Sequence, residues 1–168
     1  MKRFIKKLIS IPLAWLIFVS VSGCGFHLRG MVDMPQWLEN VAIIQEGQRI
    51  LAPFLQDQLE AYKINVVSQP SLAKYWLIIE TESFQQQITS ISSSTTPRQY
   101  QLIYTVHFKL QTAQGRTIIP SSPVIVTRQL TVNSDRILGS DEEEVITRRE
   151  MRRDAIIQIL NRISKSTT

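Results

Sequence analysis

A regular alternation of apolar and polar side chains along residues 99–111 constrains the fold of this chain most strongly. Every second residue is large and apolar: Leu102, Tyr104, Val106, Phe108 and Leu110. The positions between them hold Ile103, Thr105, His107 and Lys109. Because successive side chains of a strand point to opposite faces, the pattern predicts a strand in a sheet that is covered on one side.

Further strands are predicted on both sides of this one. Residues 75–88 form a second long strand, and the Ser/Thr-rich residues 89–97 form the loop between the two. Residues 113–116, with Gly115, predict a hairpin turn, and residues 120–123 an irregular connection. Residues 124–132 alternate again, with Arg128 on the core face and its charged head reaching an edge. The short apolar runs 40–45 and 64–67 predict two more strands.

Two segments have helical spacing. Residues 48–62 place five apolar side chains on one face, and Pro53 fits only if it lies in the first turn: Leu51, Phe54, Leu55, Leu59 and Tyr62. Ser140 and Glu143 match a capping box that would begin a second helix, with its apolar stripe at Ile156, Ile159, Leu160 and Ile163. The predicted order is β-α-β-β-β-β-α, an α+β fold with two helices on one face of a single mixed sheet.

The N-terminus has the order of a secretory signal. Four basic residues precede the apolar residues 8–21, and small residues then lead to a cysteine: Lys2, Arg3, Lys6 and Lys7. Ser10 and Pro12 interrupt the apolar stretch, which is shorter than the about 20 residues of a membrane-spanning helix. A single N-terminal transmembrane anchor is the alternative.

Cys24 is the only cysteine, so no intramolecular disulfide can form. Val21, Ser22, Gly23 and Cys24 resemble a lipobox, in which the cysteine takes a diacylglyceryl group and an N-acyl chain. Buried acyl chains contribute about 0.8 kcal/mol per methylene, so more than one chain gives stable anchoring. The next residue is Gly25, and not the aspartate that would resemble an inner-membrane retention signal, which favours the outer membrane. The alternative to lipidation is that the cysteine follows a signal peptide incidentally.

The predicted domains are a signal peptide at residues 1–23, a lipidated segment at 24–39, one folded domain at 40–163 and a loose tail at 164–168. Four of the 19 basic residues precede Cys24, which leaves 15 against 14 acidic residues in the mature chain. The basic pI of 9.6 therefore belongs mainly to the signal segment and does not indicate nucleic-acid binding.

Catalytic and metal-binding patterns are weak. His27 and His107 lack neighbouring acidic residues, and we expect His107 on the sheet surface rather than in a metal site. The acids 141–144 are better explained by a helix start than by a cation site. A basic helix side could be either solvated charge paired at i,i+4 spacing or a binding surface: Arg148, Arg149, Arg152, Arg153 and Arg162. We therefore expect no enzyme activity, no metal and no cofactor other than the lipid on Cys24.

The mature start, residues 24–29 with the sequence Cys-Gly-Phe-His-Leu-Arg, resembles that of the lipopolysaccharide-assembly lipoprotein family LptE (RlpB). The resemblance continues in residues 51–59 with Asp57-Gln58-Leu59, and in Tyr100-Gln101 and the strand that follows. It ends with Glu150-Met151, Ala155 and Gln158 in the last helix.

This resemblance implies two helices on a four-stranded mixed sheet. It also implies a lipid-anchored protein on the periplasmic side of the outer membrane, lying as a plug in the lumen of the large barrel LptD. Such proteins assist barrel assembly and the delivery of lipopolysaccharide to the outer leaflet. Members of the family also resemble proteins that bind lipopolysaccharide through basic residues in loops at one end of the sheet. Arg98 and Arg136 are the nearest candidates for such residues in this chain. Arginine forks match phosphate oxygens.

Two other functions remain compatible with the sequence. A lipoprotein of the same topology could serve another envelope complex, and recovery of a large barrel by co-purification would separate that case. A small envelope hydrolase would need a clustered nucleophile and base, which the sequence does not display.

Overall fold

A computed structural model describes residues 33–47, 50–91, 97–131 and 137–166, with the backbone alone at residues 91, 97–98 and 137–141. Its elements follow the chain as β1 (Val41–Gln45), α1 (Leu51–Ala61), a short 3-10 helix (Pro70–Leu72), β2 (Tyr75–Ile91), β3 (Pro97–Thr112), β4 (Thr117–Thr131) and α2 (Ile137–Ser164). The predicted signal peptide and lipobox lie outside the described residues.

The four strands form one mixed sheet in the order β1-β2-β3-β4. β1 pairs with β2 in parallel, and the two other pairs are antiparallel. Two helices and a four-stranded mixed sheet confirm the predicted α+β class. The strand predicted at residues 64–67 is wrong: Val66 makes one isolated bridge to Val41. Lys63, with a φ of 63°, follows the end of α1, and the 3-10 helix begins at Pro70. The segment between them is too short to pair with β1 over several residues.

Both helices pack on the face of the sheet that carries the alternating apolar side chains of β3. One cluster of buried residues joins Leu51, Leu55 and Leu59 of α1, Met151 and Ile159 of α2, and the strands. The predicted core positions of β3 are all at most 1% exposed: Leu102, Tyr104, Val106, Phe108 and Leu110. The opposite face, called the open face below, carries partly exposed residues such as His107 and Lys109.

A β-bulge at Glu80 changes which side chains of β2 face the helices. Ile79 lies opposite Phe108, but the next register pair is Thr81 with His107, so Glu80 has no partner of its own. The extra residue moves Thr81 to the open face and places Glu82 and Phe84 on the helix face. The bulge therefore introduces a carboxylate under the helices.

Residues 120–123 belong to β4, so the irregular connection predicted there is wrong. β4 is the last strand of the sheet, and Pro120 and Pro123 can lie in an edge strand without removing a ladder hydrogen bond. The prolines coincide with a local irregularity in the sheet: the register between β3 and β4 shifts between Phe108 and Leu110. The hairpin turn at residues 113–116 is confirmed, and Gly115 has the positive φ of 87° that such a turn requires.

α2 begins at Ile137, three residues before the predicted N-cap. Ser140 and Glu143 therefore both lie inside the helix, and the predicted capping box is wrong. Gly139 costs a helix about 1 kcal/mol relative to alanine but does not end it, and no proline lies in this stretch. α1 keeps Pro53 in its first turn, as predicted.

Candidate functional site

The structure describes only one of the two predicted lipopolysaccharide contacts, and that one through its backbone. Arg98 is the second residue of β3, where the structure describes the backbone, and Arg136 lies outside the described residues together with Cys24. The register pairs Gln99 of β3 with Thr131, the last residue of β4. The start of β3 and the end of β4 are therefore neighbours.

A carboxylate is held between the sheet and the helices. Tyr104 Oη donates to Glu82 Oε1 at 2.8 Å, and Gln45 Nε2 donates to Glu82 Oε2 at 2.9 Å. Burial raises the pKa of Tyr104 above its ordinary value of 10, and the hydrogen bond to Glu82 raises it further. The hydroxyl therefore stays protonated and serves as a fixed donor.

Gln45 extends this cluster to the start of α1. Its Oε1 accepts a hydrogen bond from the backbone N–H of Ala52 at 3.0 Å, which satisfies one of the free donors of the first helical turn. Gln45 is 8% exposed and ends β1, so one side chain joins that strand, β2 and α1. The cluster fixes the relative positions of these three elements.

Two arginines of α2 point toward this cluster. Arg152 Nε lies 3.9 Å from Glu82 Oε1; it is buried and makes no hydrogen bond within the described part of the chain. The Arg148 guanidinium carbon lies 3.9 Å from the centre of the Phe84 ring, and Arg148 pairs with Glu144 one turn earlier at 2.5 Å. The expected i,i+4 pairing thus holds for Arg148. A cavity of about 470 Å³ lies beside these residues.

The two other neighbouring arginines, Arg149 and Arg153, face outward. Both are exposed, and within the described ranges neither makes an ion pair. They line a groove of about 250 Å³ together with Arg152, Ile156 of α2 and three residues of α1: Phe54, Asp57 and Gln58. This inter-helix groove combines an apolar lining with guanidinium groups.

The open face carries a separate polar network. Glu80 accepts from Ser121 Oγ and pairs with Lys109 Nζ at 3.0 Å. These contacts, the bond from Ser121 first and then that from Lys109, lower the pKa of Glu80 from its usual 4.5. His107 Nδ1 lies 3.0 Å from Thr81 Oγ1. His107 is therefore a sheet-surface residue, as predicted.

Neither a metal-binding cluster of three or more ligand side chains nor a helix suited to spanning a membrane occurs among residues 33–47, 50–91, 97–131 and 137–166. Sequence reasoning had identified the arginines and Tyr104 but not their arrangement. It missed Glu82 and Gln45, since only the bulge at Glu80 turns Glu82 inward. It also missed the inter-helix groove, because Phe54 had been assigned to the buried stripe of α1 and is 47% exposed.

These observations define the class as a two-layer α+β domain with a partly buried carboxylate that bridges sheet and helices and an arginine-rich groove between its helices. The profile of the LptE family, described as lipopolysaccharide-assembly, matches residues 39–163. The chain therefore belongs to the LptE family, as the sequence of residues 24–29 indicated.

Individual relatives agree with this assignment. The LPS-assembly lipoprotein LptE of Pectobacterium atrosepticum is 26% identical over 164 residues, covering 94% of this chain and 85% of the relative. The solution structure of lipoprotein B from Nitrosomonas europaea superimposes with a TM-score of 0.71 at 26% identity, covering 83% of this chain and 90% of the other. The crystal structure of rare lipoprotein B from Shewanella oneidensis shares the fold, with a TM-score of 0.64 at 17% identity and coverage of 75% and 94%.

Proposed function

We propose that this chain is an outer-membrane lipoprotein that takes part in lipopolysaccharide assembly as the partner of the barrel LptD. The observation that carries the proposal is the family match over residues 39–163, which includes α1, the four described strands and α2 as far as Ile163. The relative from Pectobacterium atrosepticum bears the name of an LPS-assembly lipoprotein. In this role the chain lies inside the barrel lumen, assists barrel assembly and helps deliver lipopolysaccharide to the outer leaflet.

The membrane anchor is the lipid on Cys24. Val21 supplies the aliphatic residue of a lipobox, Ser22 and Gly23 supply its two small residues, and Cys24 supplies the thiol. A diacylglyceryl group and an N-acyl chain together provide the two-signal anchoring that a single acyl chain cannot. The domain is then held at the periplasmic side of the outer membrane.

The role is that of a binding partner rather than an enzyme. This is supported by the contacts of the reactive side chains in the described residues, which are held in hydrogen bonds and ion pairs within the domain. His107 contacts Thr81, and Glu80 is held by Ser121 and Lys109. Glu82 accepts two hydrogen bonds and binds the start of α1 through Gln45.

Lipopolysaccharide would meet the end of the sheet at which β3 begins and β4 ends. Arg98 is the second residue of β3, and Arg136 follows the end of β4 by five residues in the sequence. Arginine forks match the phosphates of lipid A. Arg116 lies in the hairpin between β3 and β4, at the opposite end of the sheet. It is exposed and provides a matched control for charge reversal.

The proposal is tested by affinity purification of the full-length lipidated chain from outer membranes, with palmitate labelling. We expect recovery of a large barrel that mass spectrometry identifies as LptD. The wild type should carry the palmitate label. Cys24→Ser should be unlabelled and should not fractionate with the membrane. The double variant R98E/R136E should bind purified lipopolysaccharide more weakly than R116E. Recovery of a different envelope complex would contradict the barrel role, and an unlabelled wild type would contradict lipidation.

A further inference from the structure

The outer side of the helix layer carries exposed apolar side chains from both helices. Phe54 of α1 is 47% exposed, and Ile146 and Ile157 of α2 are 49% and 41% exposed. Five other large hydrophobic residues in the described parts of the chain are at least 38% exposed: Ile50, Leu72, Ile88, Ile125 and Val145. Clustered exposed apolar side chains mark a binding surface, whereas single ones need no explanation.

Arginines occupy the centre of this surface. Positions 146, 149, 153 and 157 follow one another by three or four residues, so they lie on one side of α2. The stripe therefore reads Ile146, Arg149, Arg153, Ile157, with an apolar residue at each end. Across the inter-helix groove, Phe54 contributes an exposed aromatic ring from α1. Aromatic residues and arginine are the types enriched at the centres of protein interfaces.

The charge of the groove is not balanced within the domain. Arg149, Arg152 and Arg153 line it against one carboxylate, that of Asp57. Among the described residues, Asp57 makes no ion pair with any of the three, and Arg152 is turned toward Glu82. Arg149 and Arg153 therefore present two guanidinium groups beside an apolar lining, and each can form a bidentate pair with a carboxylate.

We propose that the inter-helix groove and the stripe on α2 form the docking surface for a protein segment of the barrel partner. That segment would place one apolar side chain between Phe54 and Ile156 and its carboxylates on Arg149 and Arg153. A groove of about 250 Å³ is smaller than a typical ligand site of roughly 300–1,000 Å³, and it suits a single inserted side chain. This assignment rests on the proposed function, because it names the surface at which that partner binds.

Site-specific photo-cross-linking in the lipidated full-length chain tests the assignment. A photoreactive residue replaces Phe54 or Ile157, which are 47% and 41% exposed, or Ile125 on the open face, which is 55% exposed. We expect adducts from positions 54 and 157 that mass spectrometry assigns to the barrel. Adducts from position 125 alone, or adducts at 54 and 157 whose mass is that of a lipid, would overturn the assignment and leave the proposed function intact. If no barrel co-purifies at all, the proposed function itself fails.

Charge reversal supplies the second measurement. R149E/R153E should lower the yield of barrel in the purification at least tenfold, because two attractive pairs become repulsive. R116E is the matched control on the opposite hairpin and should leave the yield unchanged. Circular dichroism and thermal unfolding of each variant establish that the domain has folded. A folded R149E/R153E variant with undiminished barrel yield would refute the role of the two arginines.

Discussion

The hydroxyl of Tyr104 should contribute more to stability than any other tyrosine hydroxyl on the same strand. Tyr104→Phe removes the donor to Glu82 Oε1 and leaves the ring, which is 1% exposed, in place against Phe84. A hydrogen bond to a charged group is worth about 1.5–3 kcal/mol, and Glu82 would keep the bond from Gln45. We expect the free energy of unfolding to fall by about that amount.

The assay is urea unfolding of the protein, monitored by circular dichroism at neutral pH. Tyr100→Phe is the control: Tyr100 lies on β3 and packs against the same core, but in the described part of the chain its hydroxyl has no hydrogen-bond partner. Its cost should stay within about 0.5 kcal/mol, as for a substitution that breaks no specific contact. Equal losses for the two variants would show that Glu82 does not depend on the Tyr104 hydroxyl.

Alkaline pH provides an independent check on the same bond. The pKa of Tyr104 is raised in the folded state, so this group stabilises the fold below pH 10 and loses that contribution as the pH rises above 10. At pH 11 the unfolded chain gains about 1.4 kcal/mol from ionising this tyrosine, whereas Tyr104→Phe has no such group. The difference between wild type and variant should therefore narrow by about that amount between pH 8 and pH 11; a constant difference would refute the buried, protonated hydroxyl.

Two further substitutions test the core and the open face. Leu59→Ala in α1, at a fully buried position, should cost about 2–5 kcal/mol in urea unfolding; a cost below about 1 kcal/mol would contradict its place in the core. Ser121→Ala removes the main cause of the lowered pKa of Glu80, so the wild type should be more stable than the variant at pH 7 and lose this advantage as the pH falls below 4.5. Unfolding curves at pH 7, 4 and 3 measure this, and an advantage that persists at pH 3 would contradict it.

The core of the sheet could be predicted because its strands follow a strict period of two. The alternating residues of β3 identify both faces without reference to any other strand. Arg128 was placed on the core face with its head at an edge, and it pairs there with Asp154 of α2. This was predictable because the guanidinium group of Arg128 ends a long side chain. It can reach water while the aliphatic part of the side chain lies on the core.

The partly buried carboxylate of Glu82 could not be predicted, because one unpaired residue reverses the alternation of β2. Read with an unbroken period from Leu77 and Ile79, the strand would turn Thr81 inward and Glu82 outward. The bulge at Glu80 exchanges the two, and a bulge has no reliable signal in a single sequence. The extent of α2 was misjudged for a related reason: Ser140 and Glu143 fit a cap locally, but the backbone was already helical at Ile137.

The same bulge explains why the arginines of α2 divide into two functional pairs. Neighbouring residues of a helix differ by about 100° in direction, so Arg148 and Arg152 face the sheet when Arg149 and Arg153 face outward. The inner pair finds negative charge and a ring because Glu82 and Phe84 have been shifted to the helix face. The outer pair has no equivalent partner in the described part of the domain. Two exposed guanidinium groups beside an apolar groove can bind an external carboxylate, which would complete on the outside the arrangement that Glu82 provides on the inside.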